Sequence, residues 1–427
     1  MTAPLPWLAP YRDTPFVGEV LVPGSKSLTN RVLILAALGD GPSVLTRPLG
    51  SRDTTLMAAA LTALGATIER DGMTWTVTPA STHDPEPVTI DCGLAGTVMR
   101  FVPLLAALGS ASVTFDGDEH ARVRPMATTI ATLRGLGLQV DDDDRGSLPF
   151  TVHATGGVTG GAVQIDASAS SQFVSALLLV GARFERGLDL RHVGASLPSM
   201  PHIEMTVAEL RRRGVRIDTD EPGHWVVHPG PIDAIDVEIE PDLSNAGVFI
   251  AGALVTGGSV RIRSWPRDTD QAGDAWRQIV PAFGGTVTED GDDLVFAAGS
   301  TLTGADLDLH DVGELTPVIA AMAALAAGPS RLTGVAHLRG HETDRLAALV
   351  TEITRLGGDA EELEDGLLIR PRPLHGETFR TYDDHRMAHA AVVLGLRIPD
   401  LLVENVVTTI KTYPNFAPVW ERLMTSD

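Results

Sequence analysis

Apolar and polar positions along the chain fall into a long repeat. Six times, a polar cluster able to cap a helix precedes about three turns of nearly uncharged, Ala/Leu/Val-rich sequence ending in glycine. The copies are SKSLTNRVLILAALG, AGTVMRFVPLLAALG, SSQFVSALLLVG, LSNAGVFIAGALVTG, ELTPVIAAMAALAAG and DDHRMAHAAVVLG. Their last residues are Gly39, Gly109, Gly181, Gly257, Gly328 and Gly395, so successive copies lie 70, 72, 76, 71 and 67 residues apart. A helix that is apolar all round has to be covered all round, so these six are expected inside the molecule. A second, more amphipathic helix recurs out of phase and closes at Gly65, Gly137, Gly214, Gly284 and Gly357. It is followed each time by the alternation of a half-buried strand, in TWTVTP, PFTVHA, HWVVHP, DLVFAA and LLIRP. Each unit reads as buried helix, strand, amphipathic helix, strand. Such a period is longer than that of common solenoids and predicts closed α/β domains.

A chain of 427 residues exceeds the size at which one core keeps growing, so the six units are expected to divide three and three. Apolar residues at 44% and charged residues at 21% fit a globular protein. The longest uncharged runs, such as VIAAMAALAA, fall short of the roughly 18 to 20 residues that span a bilayer. The start, MTAPLPWLAPYRDTP, shows neither a basic leader nor an apolar segment, and a cytoplasmic location is expected. The single cysteine, Cys92, permits no intrachain disulfide and reads as a small buried hydrophobe after the strand VTID. A net charge of −22 repels nucleic acid and anionic membranes, so neither is an expected partner, and an anionic substrate needs a local basic cluster. The acidic run Asp141 to Asp144 reads as a solvated turn rather than a metal site.

The buried helices begin in residues that can cap a helix or hold an anion: Ser27 and Asn30, Thr97, Ser170 with Ser171 and Gln172, Ser244 with Asn245, Glu314, and Asp384. Capping accounts for each one alone. Six related copies point instead to convergence, because a helix start exposes unpaired N–H groups and the positive end of a dipole. Lys26, Arg31, Arg100, Arg124, Arg345, Arg386 and Lys411 lie in or beside these segments, although the whole chain has only 33 Lys and Arg. Arginine forks suit carboxylate and phosphate oxygens, and lysine serves as a movable charge and proton carrier, so a multiply charged anion is the expected ligand. Other motifs fail. PGSKS has Ser25 where a phosphate loop needs glycine, HLRGHETDR has Arg345 where a zinc protease needs its second histidine after His341 and Glu342, and no GxGxxG opens a helix.

The segments VPGSKSLTNR, DCGLAGTVMRF, ARVRP, SASSQFVSALLL, LPSMPH, IEPDLSNA, GHETDRL, YDDHRMA and IKTYP, in order from Pro23 to Lys411, together resemble the 5-enolpyruvylshikimate-3-phosphate (EPSP) synthase family of enolpyruvyl transferases. The resemblance implies an inside-out α/β barrel of two domains, each with three helix-strand units around buried helices. Expected boundaries are 23–240 for the shikimate 3-phosphate side and 1–22 plus 241–427 for the phosphoenolpyruvate side, with the active site in the cleft between them. The implied reaction joins the enolpyruvyl group of phosphoenolpyruvate to the 5-hydroxyl of shikimate 3-phosphate and releases phosphate, in the shikimate pathway to aromatic amino acids. No metal or organic cofactor is implied, and a monomer acting on small molecules is expected.

Carried over by position, Ser27, Arg31, Ser170, Ser171, Gln172 and Ser199 hold shikimate 3-phosphate, and Lys26 touches both substrates. Gly96, Arg124, Arg345, Arg386 and Lys411 surround phosphoenolpyruvate, where the inhibitor glyphosate is expected to compete. Glu314 is the candidate base, and Lys26, Glu342 and Lys411 are alternatives for proton delivery. Several positions depart from the family pattern. Leu94 stands for asparagine, Glu314 for aspartate, His337 and His341 for asparagine and lysine, and His202 for tyrosine. A charged His341 would make phosphate binding weaken as pH rises through neutrality. Two rivals remain open: transfer to UDP-N-acetylglucosamine, against which the loop DEHARVRPM lacks that enzyme's usual cysteine, and a non-catalytic binding protein, which would need no acid and base.

Overall fold

The computed structural model describes residues 5–80 and 86–425. The chain divides into two compact units, Gly24–Glu240 and a discontinuous one formed by the segment up to Pro23 together with Pro241 onward. Each has its own apolar core.

In the continuous unit the buried helices are Lys26–Ala37, Gly96–Ala106 and Gln172–Gly181, and in the discontinuous unit Leu243–Thr256, Thr316–Leu325 and His385–Gly395. Small sheets cover them. In a representative sheet Val88–Asp91 runs parallel to Ser112–Asp116, which pairs antiparallel with Phe150–His153, and that strand pairs antiparallel with Gln139–Asp141. Alternate residues such as Val113, Phe115, Phe150 and Val152 point inward to the helices. Sheets therefore form the outside and helices the inside, and the two-domain inside-out α/β architecture is the observed one.

Five four-stranded sheets and one three-stranded sheet occur among the described residues. The alternation in the sequence reveals only about half of these strands. Edge strands such as Thr67–Asp71 are almost wholly exposed, so nothing in their pattern separates an inner from an outer face. The N-terminal segment serves two sheets of the discontinuous unit: Trp7–Leu8 pairs with Leu402–Val403, and Val17–Val20 runs parallel to Ser259–Ile262.

The two sets of glycines do different work. Gly65, Gly137, Gly214, Gly284 and Gly357, which close the amphipathic helices, all have positive φ, between 73° and 100°, where a side chain is disfavoured. Of the glycines closing the buried helices, only Gly257 takes that conformation, at φ 76°. Gly181 and Gly395 are needed for packing: a Cβ there would stand 3.1 Å from the Cβ of Leu188 and 2.4 Å from the Cβ of Ala9 respectively.

Gly247, inside the Leu243–Thr256 helix, is the sharpest case, since an added Cβ would lie 2.4 Å from Cζ2 of the fully buried Trp276. Helix propensity alone favours alanine there by about 1 kcal/mol. Overpacking a dense core costs roughly 1–3 kcal/mol, so Gly247→Ala is expected to lower stability in chemical denaturation despite its better propensity. A higher denaturation midpoint for the variant would contradict this packing.

Candidate functional site

The charged residues of the six buried helices are few: Lys26, Arg31, Arg100 and Arg386. All four are cations within the first six residues of their helices, where the macrodipole opposes them. In three of these helices, starting at Gly96, Gln172 and Thr316, the residue before the helix makes no side-chain cap bond; the Gln172 amide bonds Ser170 Oγ instead, and the Thr316 helix continues the 3₁₀ turn Gly313–Leu315. The caps that do form differ from the expected ones. Ser25 rather than Ser27 caps the first helix and Asp242 rather than Ser244 the fourth, while Asp384 caps the sixth as expected. Ser27 and Ser244 thus keep their side chains for other contacts.

In the continuous unit, Gly96, Arg100, Arg124 and Gln172 converge. A Cβ on Gly96 would sit 3.1 Å from terminal nitrogens of both Arg100 and Arg124 and 3.3 Å from Gln172 Oε1. Arg100 donates to Gln172 Oε1 at 2.8 Å and lies over the Phe173 ring, and Arg124 donates to the Leu94 carbonyl at 3.2 Å. Leu94 therefore enters this cluster through its backbone. Burial, and secondarily the charge of Arg124, push Arg100 well below its ordinary value. A guanidinium does not give up its proton in a protein, so the pair remains doubly charged and is stabilised by an anion.

Lys26 reaches the buried carboxylate of Asp53, 3.7 Å away, at the start of the Arg52–Ala63 helix. Arg31 is 1% exposed and is largely committed to the fold. It donates to Thr206 Oγ1, to the carbonyls of Ser27 and His202, and to Ser175 Oγ, which ties the first and third buried helices to the Met200–Arg212 helix. Ser199 starts that helix in the left-handed region, at φ 58°. Ser170 Oγ accepts from the Gln172 amide, and Ser171 is buried beside it.

In the discontinuous unit, the consecutive residues Asp384, His385 and Arg386 organise three contacts. Asp384 takes both arms of Arg345, at 2.7 and 3.1 Å, and caps the Arg386 amide. His385 Nδ1 lies 3.0 Å from Glu342 Oε2, and Lys411 Nζ is 2.5 Å from Glu342 Oε1. Arg386 donates to the Ser244 carbonyl, while the Ser244 hydroxyl donates to Glu314 Oε1 at 2.8 Å. Burial alone would raise Glu342, but the charges of His385, Lys411 and Arg345 and the His385 hydrogen bond outweigh it and hold this carboxyl well below its usual range. Burial lowers His385 despite that carboxylate. Glu342 is thus the fixed anion of the cluster, and Lys411 and His385 are its proton-bearing members.

Two expectations change. Arg345 can only donate to His341 Nδ1, 3.2 Å away, so His341 is a neutral acceptor in this arrangement and offers N–H from Nε2. Burial, and next His310, drive His337 down to about 4. Neither histidine supports the expected loss of anion binding as pH rises through neutrality. Glu342, Asp384 and His385 lie close enough together to suggest metal ligands. Their oxygens and Nδ1 are already satisfied by Lys411, Arg345 and one another, so the donor set does not call for a metal. Asp53 and His385 did not stand out in the sequence. For His385 the available signal was its place between Asp384 and Arg386; for Asp53 there was none.

The EPSP synthase (3-phosphoshikimate 1-carboxyvinyltransferase) family profile matches residues 11–420. A 3-phosphoshikimate 1-carboxyvinyltransferase of Kocuria rhizophila is 53% identical, over 99% of this chain and 97% of that one. Two solved structures of EPSP synthase from Acinetobacter baumannii share the fold, with TM-scores of 0.78 and 0.76 at 22% identity, each over 97% of both chains.

The Glu342 cluster fixes a pH dependence. A carboxyl depressed in the folded state stabilises above its unfolded value, about 4.3, and that contribution is lost as pH falls through the folded value. Glu342→Gln leaves buried Lys411 without its counter-charge and is expected to cost roughly 3–5 kcal/mol at neutral pH. Denaturation curves should show this difference flat from about pH 7 to 5 and narrowing only below about pH 4. Narrowing that begins above pH 5 would mean that Glu342 is not held in its charged form.

Proposed function

Because the chain belongs to the EPSP synthase family, we propose that the two clusters described above bind its two anionic substrates. The enzyme transfers the enolpyruvyl group of phosphoenolpyruvate to the 5-hydroxyl of shikimate 3-phosphate and releases phosphate, by addition and elimination through a tetrahedral intermediate. No helix is long and apolar enough to cross a membrane among the described residues. The acidic chain and its single buried cysteine support a cytoplasmic monomer.

The proposed roles follow from charge and reach. Ser27, Ser170, Ser171, Gln172 and Ser199 bind shikimate 3-phosphate, and Arg31 contributes chiefly by holding the Ser27 and His202 carbonyls in place. His341, with a neutral Nε2–H, is a further donor, for the phosphate of phosphoenolpyruvate. Lys26 and Arg124 meet the phosphate of phosphoenolpyruvate, and Gly96 lets that ligand approach the uncapped helix start. Arg345 and Arg386, planar and fixed by Asp384 and Ser244, take its carboxylate.

Glu314 accepts the proton of the 5-hydroxyl as that oxygen bonds to C2 of phosphoenolpyruvate. Lys411 gives a proton to C3, which turns the methylene into the methyl of the intermediate. Elimination then returns a C3 proton to Lys411 as the C2–O bond to phosphate breaks, and the proton held by Glu314 leaves with the phosphate. Glu342 keeps Lys411 in place for the first step, and Lys26 steadies the departing phosphate. The observation that carries this reading is the chain Arg386–Ser244–Glu314, which fixes a carboxylate beside a cation suited to the enol carboxylate.

Phosphate release tests it. With shikimate 3-phosphate and phosphoenolpyruvate the wild type should turn over, and with UDP-N-acetylglucosamine as acceptor it should not. Glu314→Gln should lower kcat by roughly 10²- to 10⁴-fold while shikimate 3-phosphate still binds in calorimetry. Unchanged turnover would remove Glu314 from the proton transfer.

A second prediction concerns Gly96. A methyl group there presses on the flexible tips of Arg100, Arg124 and Gln172 at 3.1 to 3.3 Å, so Gly96→Ala should fold. It should raise KM for phosphoenolpyruvate and weaken inhibition by glyphosate. Identical inhibition of the two proteins would place glyphosate elsewhere.

A further inference from the structure

Tyr382 and Asp383 are consecutive residues with φ of 52° and 54°, a left-handed conformation that side-chain-bearing residues rarely adopt; the other such pair among the described residues, Asp143 and Asp144, lies in the exposed acidic turn, whereas this one is anchored on both sides. They immediately precede Asp384, the cap of the sixth buried helix. Strain of this kind persists only where the surroundings impose it. Here the anchors are explicit. The Tyr382 hydroxyl donates at 2.7 Å to Glu352, a carboxylate with no exposed surface that also accepts from the Arg380 amide at 3.0 Å and from Arg355. Asp383 accepts from Asn405 at 3.1 Å, and the Thr381 amide donates to Glu404 at 3.0 Å.

Each anchor leads to a charged group of the site. Glu352 lies on the same helix as Arg345, seven residues on, and Asp384 holds the Arg345 guanidinium directly. Asn405 precedes the short 3₁₀ helix Val406–Lys411, which ends in Lys411. On the far side of the turn come His385, bonded to Glu342, and Arg386. We propose that the turn Thr381–Asp384 is the element that positions Arg345, Arg386 and Lys411 for phosphoenolpyruvate, and that the bond from the Tyr382 hydroxyl to Glu352 sets its geometry. Tyr382 is a positioning residue and touches no substrate. Burial, and then Glu352, push its phenol up to about 12, so it remains a donor across the working pH range. The inference rests on the assignment of these three cations to phosphoenolpyruvate.

Steady-state kinetics of the full chain test it. Tyr382→Phe keeps the ring and removes one hydroxyl, and is expected to lower kcat/KM for phosphoenolpyruvate roughly 10- to 100-fold, as sub-ångström misplacement of charge would, while KM for shikimate 3-phosphate changes less than about twofold. Glu352→Gln, which keeps an acceptor for the hydroxyl, should retain more of this activity than Glu352→Ala. If Tyr382→Phe lowers Tm but leaves kcat and both KM values unchanged, the turn is only a structural joint and the proposal is overturned. Arg386→Lys in the same assay separates the two levels. If it lowers kcat/KM for phosphoenolpyruvate while Tyr382→Phe does not, the positioning role of the turn fails and the substrate assignment stands. If neither variant affects that kcat/KM, the assignment itself fails and the positioning role falls with it.

Discussion

Cations at the positive ends of buried helices are the constraint on which the rest of the structure depends. Lys26, Arg100 and Arg386 lie within the first five residues of helices that are otherwise nearly uncharged and covered on all sides. A helix start already carries the equivalent of about half a positive charge, so each placement is unfavourable by itself. A fold shaped only for stability would put carboxylates there. Such a pattern persists where a strongly charged anion repays it, and phosphoenolpyruvate and shikimate 3-phosphate are such anions.

The two units resolve the cost of burying charge in different ways. In the discontinuous unit each cation meets a carboxylate or a carbonyl: Arg345 on Asp384, Lys411 on Glu342, Arg386 on Ser244. Arg345 and Lys411 are neutralised, and all three groups are held in position before substrate arrives, which avoids reorganisation during the reaction. In the continuous unit Arg31 is spent on structure, while Arg100 and Arg124 stand together with a glutamine oxygen and a backbone carbonyl as neutral partners. The like charges of that pair oppose one another, and an anion bound there would relieve them. Preorganisation thus lies mainly where proton transfer is proposed, and paired like charge lies where phosphate is proposed to bind.

Much of this was legible in the sequence. The sixfold rhythm of uncharged helices fixed their burial, because VIAAMAALAA and VSALLLVG have no polar face to turn to water and are too short to span a bilayer. The cations stood out because so few charges interrupt those runs. What remained hidden is what depends on contacts between distant residues. Edge strands such as Thr67–Asp71 carry no alternation to read, and the choice of Ser25 and Asp242 over Ser27 and Ser244 as caps is decided by backbone angles at the helix entry. Asp53 could not be linked to Lys26, 27 residues away, nor Glu342 to His385 and Lys411, until the chain was folded. His341 shows the converse error: a residue type suggested a pH switch that the donor geometry of Arg345 removes.

The departures from sixfold regularity coincide with the chemistry. The last unit has the shortest spacing, a sheet of three strands instead of four, and the run Asp384, His385 and Arg386 at its helix start. Among the described residues the sheet of this unit has one strand fewer, and its second helix, the amphipathic Phe416–Thr425, follows the short helix ending in Lys411. A repeat can lose regular cover only if something else satisfies the exposed core and backbone. Here Phe416 and Trp420 stack and fill the core beside Phe249, while Asn405 and Glu404 bind the turn before Asp384. Regular units build the scaffold because their local preferences agree with the fold. The irregular unit can hold the left-handed pair Tyr382 and Asp383 and a dense set of charges because that scaffold over-determines its position.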